Sequence, residues 1–249
     1  MRQLIKKNIK RILHPLIIRL GYKENTREAG LLENFFSLLA EIGFVPNHII
    51  DVGANHGSWT RTALNYFPDA HYSLLEPQKW LEAYVKDLMD SNSKIRFFPC
   101  GAGSTSGTFK FTVTSRDDSS NFLISTVDAK NAGYEQIDTE VVTLNELVSK
   151  NNLPPPDIIK IDAEGFDLEV LEGADSFFGK TEIFMVEAAV VAKVIENSFL
   201  KVIEFLDQRG YRLFDITDLN RPFEPRVLWL TELVFIRKGG MIDEMKIIA

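Results

Sequence analysis

A loop rich in glycine follows a short apolar run in the segment IIDVGANHGSWT, residues 49–60. The apolar run predicts a buried strand that ends at Asp51. Three small or polar loop residues come next, before a predicted helix: Gly53, Asn55 and Gly57. Glycine permits a sharp turn and lets the backbone approach a bound molecule closely. In an open α/β sheet, the loop after the first strand is where nucleotide-like ligands bind.

An acidic residue closes the next predicted strand, HYSLLEP (71–77), where Glu76 stands nineteen residues after Gly57. This separation suits an acid that accepts hydrogen bonds from the two ribose hydroxyls of an adenosine. A dinucleotide fingerprint would read G-x-G-x-x-G and bind a pyrophosphate. Here Asp51 places a carboxylate in the loop, which repels phosphate and attracts a cation. The pattern therefore favours S-adenosylmethionine (SAM), which carries an ammonium group and a positively charged sulfur.

Two more carboxylates, Asp162 and Glu164, follow the apolar run of PDIIKIDAEG. They could accept backbone N–H groups at the following turn and helix start. They could instead act as a general base or orient an acceptor hydroxyl. With Glu187, at the end of the next strand, they could also hold Mg²⁺ or Ca²⁺, but the spacing contains no metal-binding pattern and we predict no metal. His56, inside the glycine loop, is a further candidate proton acceptor.

The elements that must position these residues alternate between strands and helices from residue 48 onward. Such alternation predicts right-handed crossovers and a mostly parallel sheet with helices on both faces. The last two predicted strands, 211–216 and 226–238, have no helix between them, which predicts an antiparallel C-terminal edge. Between these regions lie an extra strand (107–113) and a polar loop (114–121) that we expect to line the acceptor pocket or to be exposed.

Length and charge limit the classes of function. The chain has 249 residues, enough for one well-packed domain. Its formal net charge of -7 argues against nucleic acid as a partner, because phosphate binding requires a basic face. The single cysteine, Cys100, permits no intramolecular disulfide and fits a reducing, cytoplasmic compartment.

The first 23 residues contain seven Lys and Arg and no carboxylate, with apolar residues at helical spacing. This pattern predicts a basic amphipathic helix at the start of an N-terminal helical extension, residues 1–43, with the main domain spanning 44–249. The helix either packs on the domain or on a second copy in a homo-oligomer, or lies on an anionic membrane surface at the inner face of the membrane.

Four segments together resemble the FkbM family of SAM-dependent methyltransferases: DVGANHGSWT, LLEP, VVTLNEL and PDIIKIDAEGFDLEVLEGA. They occur in the expected order from about Phe44 to Glu187. The resemblance implies a class I, Rossmann-like fold with a seven-stranded type of sheet. It also implies an O-methyltransferase that converts SAM to S-adenosylhomocysteine. The acceptor would be a hydroxyl of a sugar, glycolipid, polysaccharide or polyketide-like metabolite.

The resemblance also assigns roles to individual residues. Those that would line the methionine side of the donor are Asp51, Gly53, Asn55 and Gly57, while Glu76 would hold the ribose. Gly101 and Ala102, in PCGAG (99–103), are candidates for the adenine contact. The acid that many class I enzymes have after the third strand is missing here. Two alternatives to O-methyl transfer are a methyltransferase acting on nitrogen or nucleic acid, and a module that binds SAM without catalysis.

The membrane alternative for residues 1–23 makes a direct prediction. The full chain should float with vesicles that contain anionic lipid, and a chain that lacks residues 1–23 should not, because the basic residues supply the attraction. Flotation of both chains on neutral vesicles is the control. If the full chain does not bind anionic vesicles, the packing alternative is retained.

Overall fold

The computed structural model describes residues 30–191, 197–222, 224 and 226–245 and has alternating strands and helices. The strands are β1 (His48–Val52), β2 (His71–Leu75), β3 (Ile95–Phe98), β4 (Gly101–Ala102), β5 (Gly107–Val113), β6 (Glu135–Val142), β7 (Ile158–Ile161), β8 (Ile183–Ala189), β9 (Tyr211–Asn220) and β10 (Leu230–Arg237). The α-helices are α1 (Leu31–Glu41), α2 (Ser58–Leu64), α3 (Glu82–Ser91), α4 (Thr126–Ala132), α5 (Leu144–Lys150), α6 (Asp167–Glu172) and α7 (Phe199–Asp207). Short 3₁₀ turns cover Lys79–Leu81, Asp117–Ser119 and Asp175–Phe177.

A seven-stranded sheet in the order β3-β2-β1-β7-β8-β10-β9 forms the centre of the fold. The pairs from β3 to β8 are parallel, and β10 is antiparallel to both of its neighbours. The predicted α/β class, with a mostly parallel sheet and an antiparallel C-terminal edge, is therefore confirmed. The strand order reverses between β1 and β7, and ligands of such sheets bind outside the carboxyl ends of the strands at this reversal.

Helices cover both faces of the sheet because its central strands are apolar on both sides. One face packs on α1, α2 and α3, and the other packs on α5, α6 and α7. The alternation is visible in β1, where Ile49 belongs to the first core and Ile50 to the second. The side chains at the carboxyl ends of β1 and β7 are therefore held by packing on each side.

A second, three-stranded sheet, in the order β4-β6-β5, branches off after β3. The sequence predicted β5, whereas the segment VVTLNEL covers only the end of β6, which begins at Glu135. The sequence did not predict α4. This helix has seven residues and buries only Ala129, so it lacks the apolar stripe that reveals longer helices. Ser125 caps it by accepting a hydrogen bond from the Asp128 N–H.

The N-terminal helical extension predicted for residues 1–43 includes α1, which begins at Leu31 and buries Phe35, Phe36 and Leu39 in the core that α2 and α3 also cover. The predicted basic helix of residues 1–23 lies outside the described residues. Among the helices described, none is long and apolar enough to cross a membrane.

A buried histidine, His48, joins the start of β1 to its surroundings. Its Nδ1 lies 2.7 Å from the carbonyl oxygen of Pro154, and its Nε2 lies 2.9 Å from the Ser73 hydroxyl. Burial lowers the pKa of His48 to about 4 from its ordinary value of 6.5, although the hydrogen bond to Pro154 opposes the shift. The folded protein therefore holds this imidazole neutral, and its role is structural.

We predict that the stability of the fold depends on pH through His48. Between pH 6.5 and about 4 the unfolded chain binds a proton here and the folded chain does not, so this contribution is complete above pH 6.5 and is lost as pH falls. The loss amounts to about 3 kcal/mol. Urea unfolding at pH 7 and pH 4.5 should show that the advantage of the wild type over His48→Gln shrinks at the lower pH. An advantage that is the same at both pH values would contradict the assignment.

Candidate active site

Two cavities meet at the carboxyl ends of β1 and β7. The first cavity, of about 600 Å³, is lined by residues that include Gly53, Asn55, Glu76, Gly101, Ala102 and Asp162. The second cavity, of about 1080 Å³, is lined by residues that include Trp59, Lys160, Asp162, Glu187, Asp218 and Glu232. Gly53, Asn55 and Asp162 line both, so they mark the place where the contents of the two cavities would meet.

Gly53 brings the β1 loop into close contact with the end of β7. Its φ is +71°, and a Cβ built on it would lie 1.9 Å from the carbonyl oxygen of Asp162. The N–H groups of Gly53 and Ala54 both donate to the carbonyl oxygen of Leu75, at the end of β2. Only glycine allows both the left-handed backbone and this close approach. This geometry explains why the loop has a glycine at position 53.

Glu76 presents a fixed carboxylate to the first cavity. Its Oε2 accepts from the Asn55 N–H at 3.1 Å, and its Oε1 accepts from the backbone N–H and the side-chain amide of Gln78. Burial raises the pKa of Glu76, while these hydrogen bonds oppose the shift. A carboxylate offers about four acceptor positions, so Glu76 keeps the capacity to bind a ligand hydroxyl.

The opposite wall of the first cavity contains Gly101 and Ala102 on β4, together with Phe122. A Cβ at Gly101 would lie 2.6 Å from the Phe122 ring, so glycine is required for this packing. The polar loop 114–121, predicted either to line the acceptor pocket or to be exposed, contributes Asp117 and Asp118 to the lining of the first cavity. The side-chain amide of Gln78 donates to the carbonyl oxygen of Asp117 and holds the loop there.

The charge of the first cavity fits a cationic donor. Its lining carboxyl groups are Glu76, Asp117, Asp118, Asp162 and Glu164, and the described lining residues include no Lys, Arg or His. A pyrophosphate would meet only like charge there, whereas a ligand with an ammonium and a sulfonium group would be attracted. The residues present therefore fit SAM.

Two residues predicted to contact the methionine part of the donor support the loop from beneath instead. Asp51 is fully buried and lines neither cavity, and its Oδ2 accepts from the Thr60 hydroxyl at 2.6 Å. Gly57 packs on α3, where a Cβ would lie 2.7 Å from the Val85 side chain. Gly53 and Asn55, by contrast, line both cavities, and their contact with the methionine part of the donor stays a prediction.

Lys160, which the sequence analysis did not select, is the buried cation of the site. Its ammonium lies 3.1 Å from Asp51 Oδ1 and 3.5 Å from Asp162 Oδ2. Burial alone would lower the pKa of Lys160, but the charges of Asp51 and Asp162 outweigh it and raise the pKa. The sequence feature that could have identified Lys160 is a lysine within the apolar run IIKI. The sheet register places this lysine directly opposite Asp51.

The turn after β7 is held by Asp167 rather than by either acid of KIDAEG. The Asp167 carboxylate accepts from the N–H groups of Ala163 and Gly165, and the Asn197 amide donates to it at 2.6 Å. Burial and the charge of Asp162 raise the pKa of Asp167 to about 7, against these backbone hydrogen bonds. The capping role considered for Asp162 and Glu164 therefore belongs to Asp167.

Glu164 and Glu187 are acids whose protonated forms are favoured by their surroundings. Burial and the charges of Asp162 and Asp167 raise the pKa of Glu164 to about 8, and the same causes raise that of Glu187 well above its ordinary value. Glu164 lines the first cavity and has a left-handed backbone, with φ of +52°. Glu187 lines the second cavity, so the two acids stand on different sides of Asp162.

His56 closes the gap between two loops. Its Nε2 lies 2.9 Å from Asp117 Oδ2, and its ring stacks on that of Tyr84 with centroids 4.2 Å apart. The ring thus contacts Asp117 through its edge and Tyr84 through its face. Its predicted role as a proton acceptor remains a prediction.

The alternative of a metal site gains no support from the geometry. Across the described ranges, no group of three or more His, Cys, Asp and Glu side chains is arranged to hold a metal ion.

Known proteins similar to this chain are methyltransferases. The Methyltransferase FkbM domain matches residues 51–213. Methyltransferase sdnD of Sordaria araneosa is 25% identical over 199 residues, which are 68% of this chain and 74% of that protein.

Solved structures with a similar chain course share little sequence with this protein. A putative rRNA methylase from Clostridium thermocellum has a TM-score of 0.49 at 10% identity, covering 85% of this chain and 98% of its own. Precorrin-6y C5,15-methyltransferase from Geobacter metallireducens has a TM-score of 0.46 at 13% identity, covering 82% of this chain and 88% of its own.

We predict that Glu76→Gln weakens the binding of S-adenosylhomocysteine by roughly ten- to a hundredfold, as expected for loss of hydrogen bonds to a charged group. The substituted amide would also turn an N–H group toward the donors of Asn55 or Gln78. Isothermal titration measures the affinity, with Glu82→Gln, an exposed acid at the start of α3, as the matched control. Equal affinity in the two variants would remove Glu76 from the donor site.

Proposed function

This chain belongs to the FkbM methyltransferase domain family and is a SAM-dependent methyltransferase, and we propose that it methylates a hydroxyl group. By this proposal the acceptor is a sugar, glycolipid, polysaccharide or polyketide-like metabolite. SAM, when bound, supplies a methyl group already activated by a positively charged sulfur. The protein must then bring the acceptor into line and receive the proton of its hydroxyl.

The observation that carries the proposal is the position of Asp162. Its side chain lines both cavities, so it lies where a donor in the first cavity and an acceptor in the second would approach each other. A hydroxyl is a weak nucleophile and gains from a base within hydrogen-bond reach. We infer that Asp162 accepts the hydroxyl proton as the acceptor oxygen bonds to the methyl carbon and the bond of that carbon to the SAM sulfur breaks.

Electrostatics favours Asp162 over the other two candidate acids. The pKa of Glu164 is raised to about 8, which leaves this acid largely protonated near neutral pH, and burial and neighbouring carboxylates also raise the pKa of Glu187 well above its ordinary value. Asp162 instead forms an ion pair with the Lys160 ammonium. In this assignment Asp162 is the base, while Glu164 and Glu187 can donate hydrogen bonds to donor or acceptor oxygens.

The lining of the second cavity favours a neutral or cationic acceptor over a nucleic acid. Its acidic residues are Asp162, Glu187, Asp218 and Glu232, and they are opposed by the one lysine already paired with Asp51. Phosphate groups would be repelled by this wall. Hydroxyl-rich molecules would find acceptors and donors among the carboxyl groups and the side chains of Ser58, Thr62 and Thr217.

We also propose, from the N-terminal sequence, where the protein meets its acceptor. If residues 1–23 bind an anionic membrane, a lipid-linked sugar at the inner face of the membrane becomes the favoured acceptor. If they pack on protein, a freely diffusing cytoplasmic acceptor is favoured.

The acceptor class can be tested by incubating the protein with SAM labelled in its methyl group and a panel of sugars, glycolipids, polyketide-like alcohols, amines and RNA. Label should enter hydroxylated acceptors in a form stable to mild alkali, as expected for an ether. Transfer to amines or RNA alone would reject the proposal. Binding of SAM without transfer to any acceptor would favour a binding module.

With an acceptor identified, Asp162→Asn should lower kcat by about 10²- to 10⁴-fold, the usual contribution of a general base. We expect KM for SAM to change much less, because the amide preserves the shape of the side chain. Asp207→Asn, which alters an exposed acid paired with Lys238, is the control. Full turnover by Asp162→Asn together with loss in Glu164→Gln or Glu187→Gln would move the base to that residue.

A further inference from the structure

We propose that Lys160 is a positioning residue of the donor site, whose ammonium group holds the β1 loop and Asp162 in the arrangement that binds SAM. This inference concerns the donor alone and is independent of which acceptor receives the methyl group. It rests on the contacts of one buried side chain, which is 4% exposed.

The ammonium of Lys160 contacts oxygens of both strand ends that flank the site. On the β1 side it donates to the carbonyl oxygens of Val52 and Gly53, at 3.3 and 3.2 Å, and lies 3.1 Å from Asp51 Oδ1. On the β7 side it lies 3.5 Å from Asp162 Oδ2. An ammonium has three N–H donors, so the β1 side alone can occupy all of them.

These contacts decide the course of the backbone at Gly53. Its left-handed conformation and its approach to the Asp162 carbonyl oxygen leave no room for a side chain at this position. The hydrogen bond from Lys160, a residue of β7, to the Gly53 carbonyl oxygen ties this peptide to the same strand. Because Gly53 and Asp162 both line the two cavities, a shift of either would change the donor pocket and the junction with the acceptor pocket together.

The charge of Lys160 matters as well as its hydrogen bonds. Without it, Asp51 would remain buried with no cation beside it. Asp162 would lie near Glu187 and Glu232, with no other lysine or arginine among the described residues that line the second cavity. Asp162 would then lose the ion pair that holds its carboxylate in its present position. A purely apolar replacement thus removes both the anchor of the loop and the partner of Asp162.

The test compares three variants by isothermal titration with S-adenosylhomocysteine and by thermal unfolding. Lys160→Met removes the charge, Lys160→Arg keeps it, and the second cavity gives the larger guanidinium space. Arg237→Met is the matched control. It breaks a half-buried ion pair with Glu182 where β8 begins and β10 ends, at the edge of the sheet away from the site. We expect Lys160→Met to weaken binding at least about tenfold, as misplacement of a positioning group does, and Lys160→Arg and Arg237→Met to stay within about threefold.

Other outcomes would overturn the inference. Unchanged affinity in folded Lys160→Met, or an equal loss in Arg237→Met, would make the lysine a general stability element. Lys160→Arg that binds as weakly as Lys160→Met would show that the charge is not what positions the loop.

Should Lys160→Met fail to fold, the Asp51→Asn, Lys160→Met double variant removes both buried charges, which proteins often tolerate. It should regain stability without regaining affinity. If it binds normally, or fails to fold while Arg237→Met folds, the inference is rejected. Failure of the proposed hydroxyl acceptor would leave all of these binding results unchanged.

Discussion

A single ammonium group buried among carboxylates is the constraint on which the site depends. Moving a charge out of water is costly unless it is paired and hydrogen-bonded. Lys160 meets this condition through Asp51 and two backbone carbonyl oxygens, and it can do so only where β1 and β7 lie side by side. The parallel pairing of these strands, the glycine loop and the position of Asp162 therefore belong to one arrangement.

The excess of acid around this cation shapes the rest of the site. Burial raises the pKa of Glu164 to about 8 and the pKa values of Asp167 and Glu232 to about 7. These groups hold protons for part of the neutral range, because one ammonium cannot balance them all. A donor that is itself a cation complements this surplus, and a phosphate-bearing ligand would add to it. Under the proposed function, the same electrostatic property favours a cationic donor and disfavours nucleic acid as acceptor.

Asp162 can face the cavities because a neighbouring acid, Asp167, holds the turn after β7. Asp167 takes the backbone N–H groups of the turn after β7, so the turn does not require Asp162 or Glu164 as a cap. The turn is nevertheless strained, since Glu164 is one of few residues other than glycine with positive φ in the described chain. Such strain persists where the surroundings enforce it and is common at functional sites.

The sequence alone determined the α/β class, the parallel order of elements, the glycine loop at Gly53 and the acid at Glu76. Each of these is a local pattern: apolar runs of a given period, glycine where the backbone must turn, and an acid at the end of a strand. The sequence did not predict the short helix α4, because a helix that buries one residue has no periodic pattern of apolar residues.

Only the tertiary structure decided which acids face the cavities. Asp51 and Asp162 look alike in sequence, as carboxylates at the ends of buried strands, yet Asp51 turns beneath the loop and Asp162 lines both cavities. The sequence likewise did not predict three other features: the cap at Asp167, the position of Asp117 beside the first cavity and the pairing of Lys160. All of them depend on which residues the sheet register brings together from distant parts of the chain, and on the burial that results, neither of which is a local property of sequence.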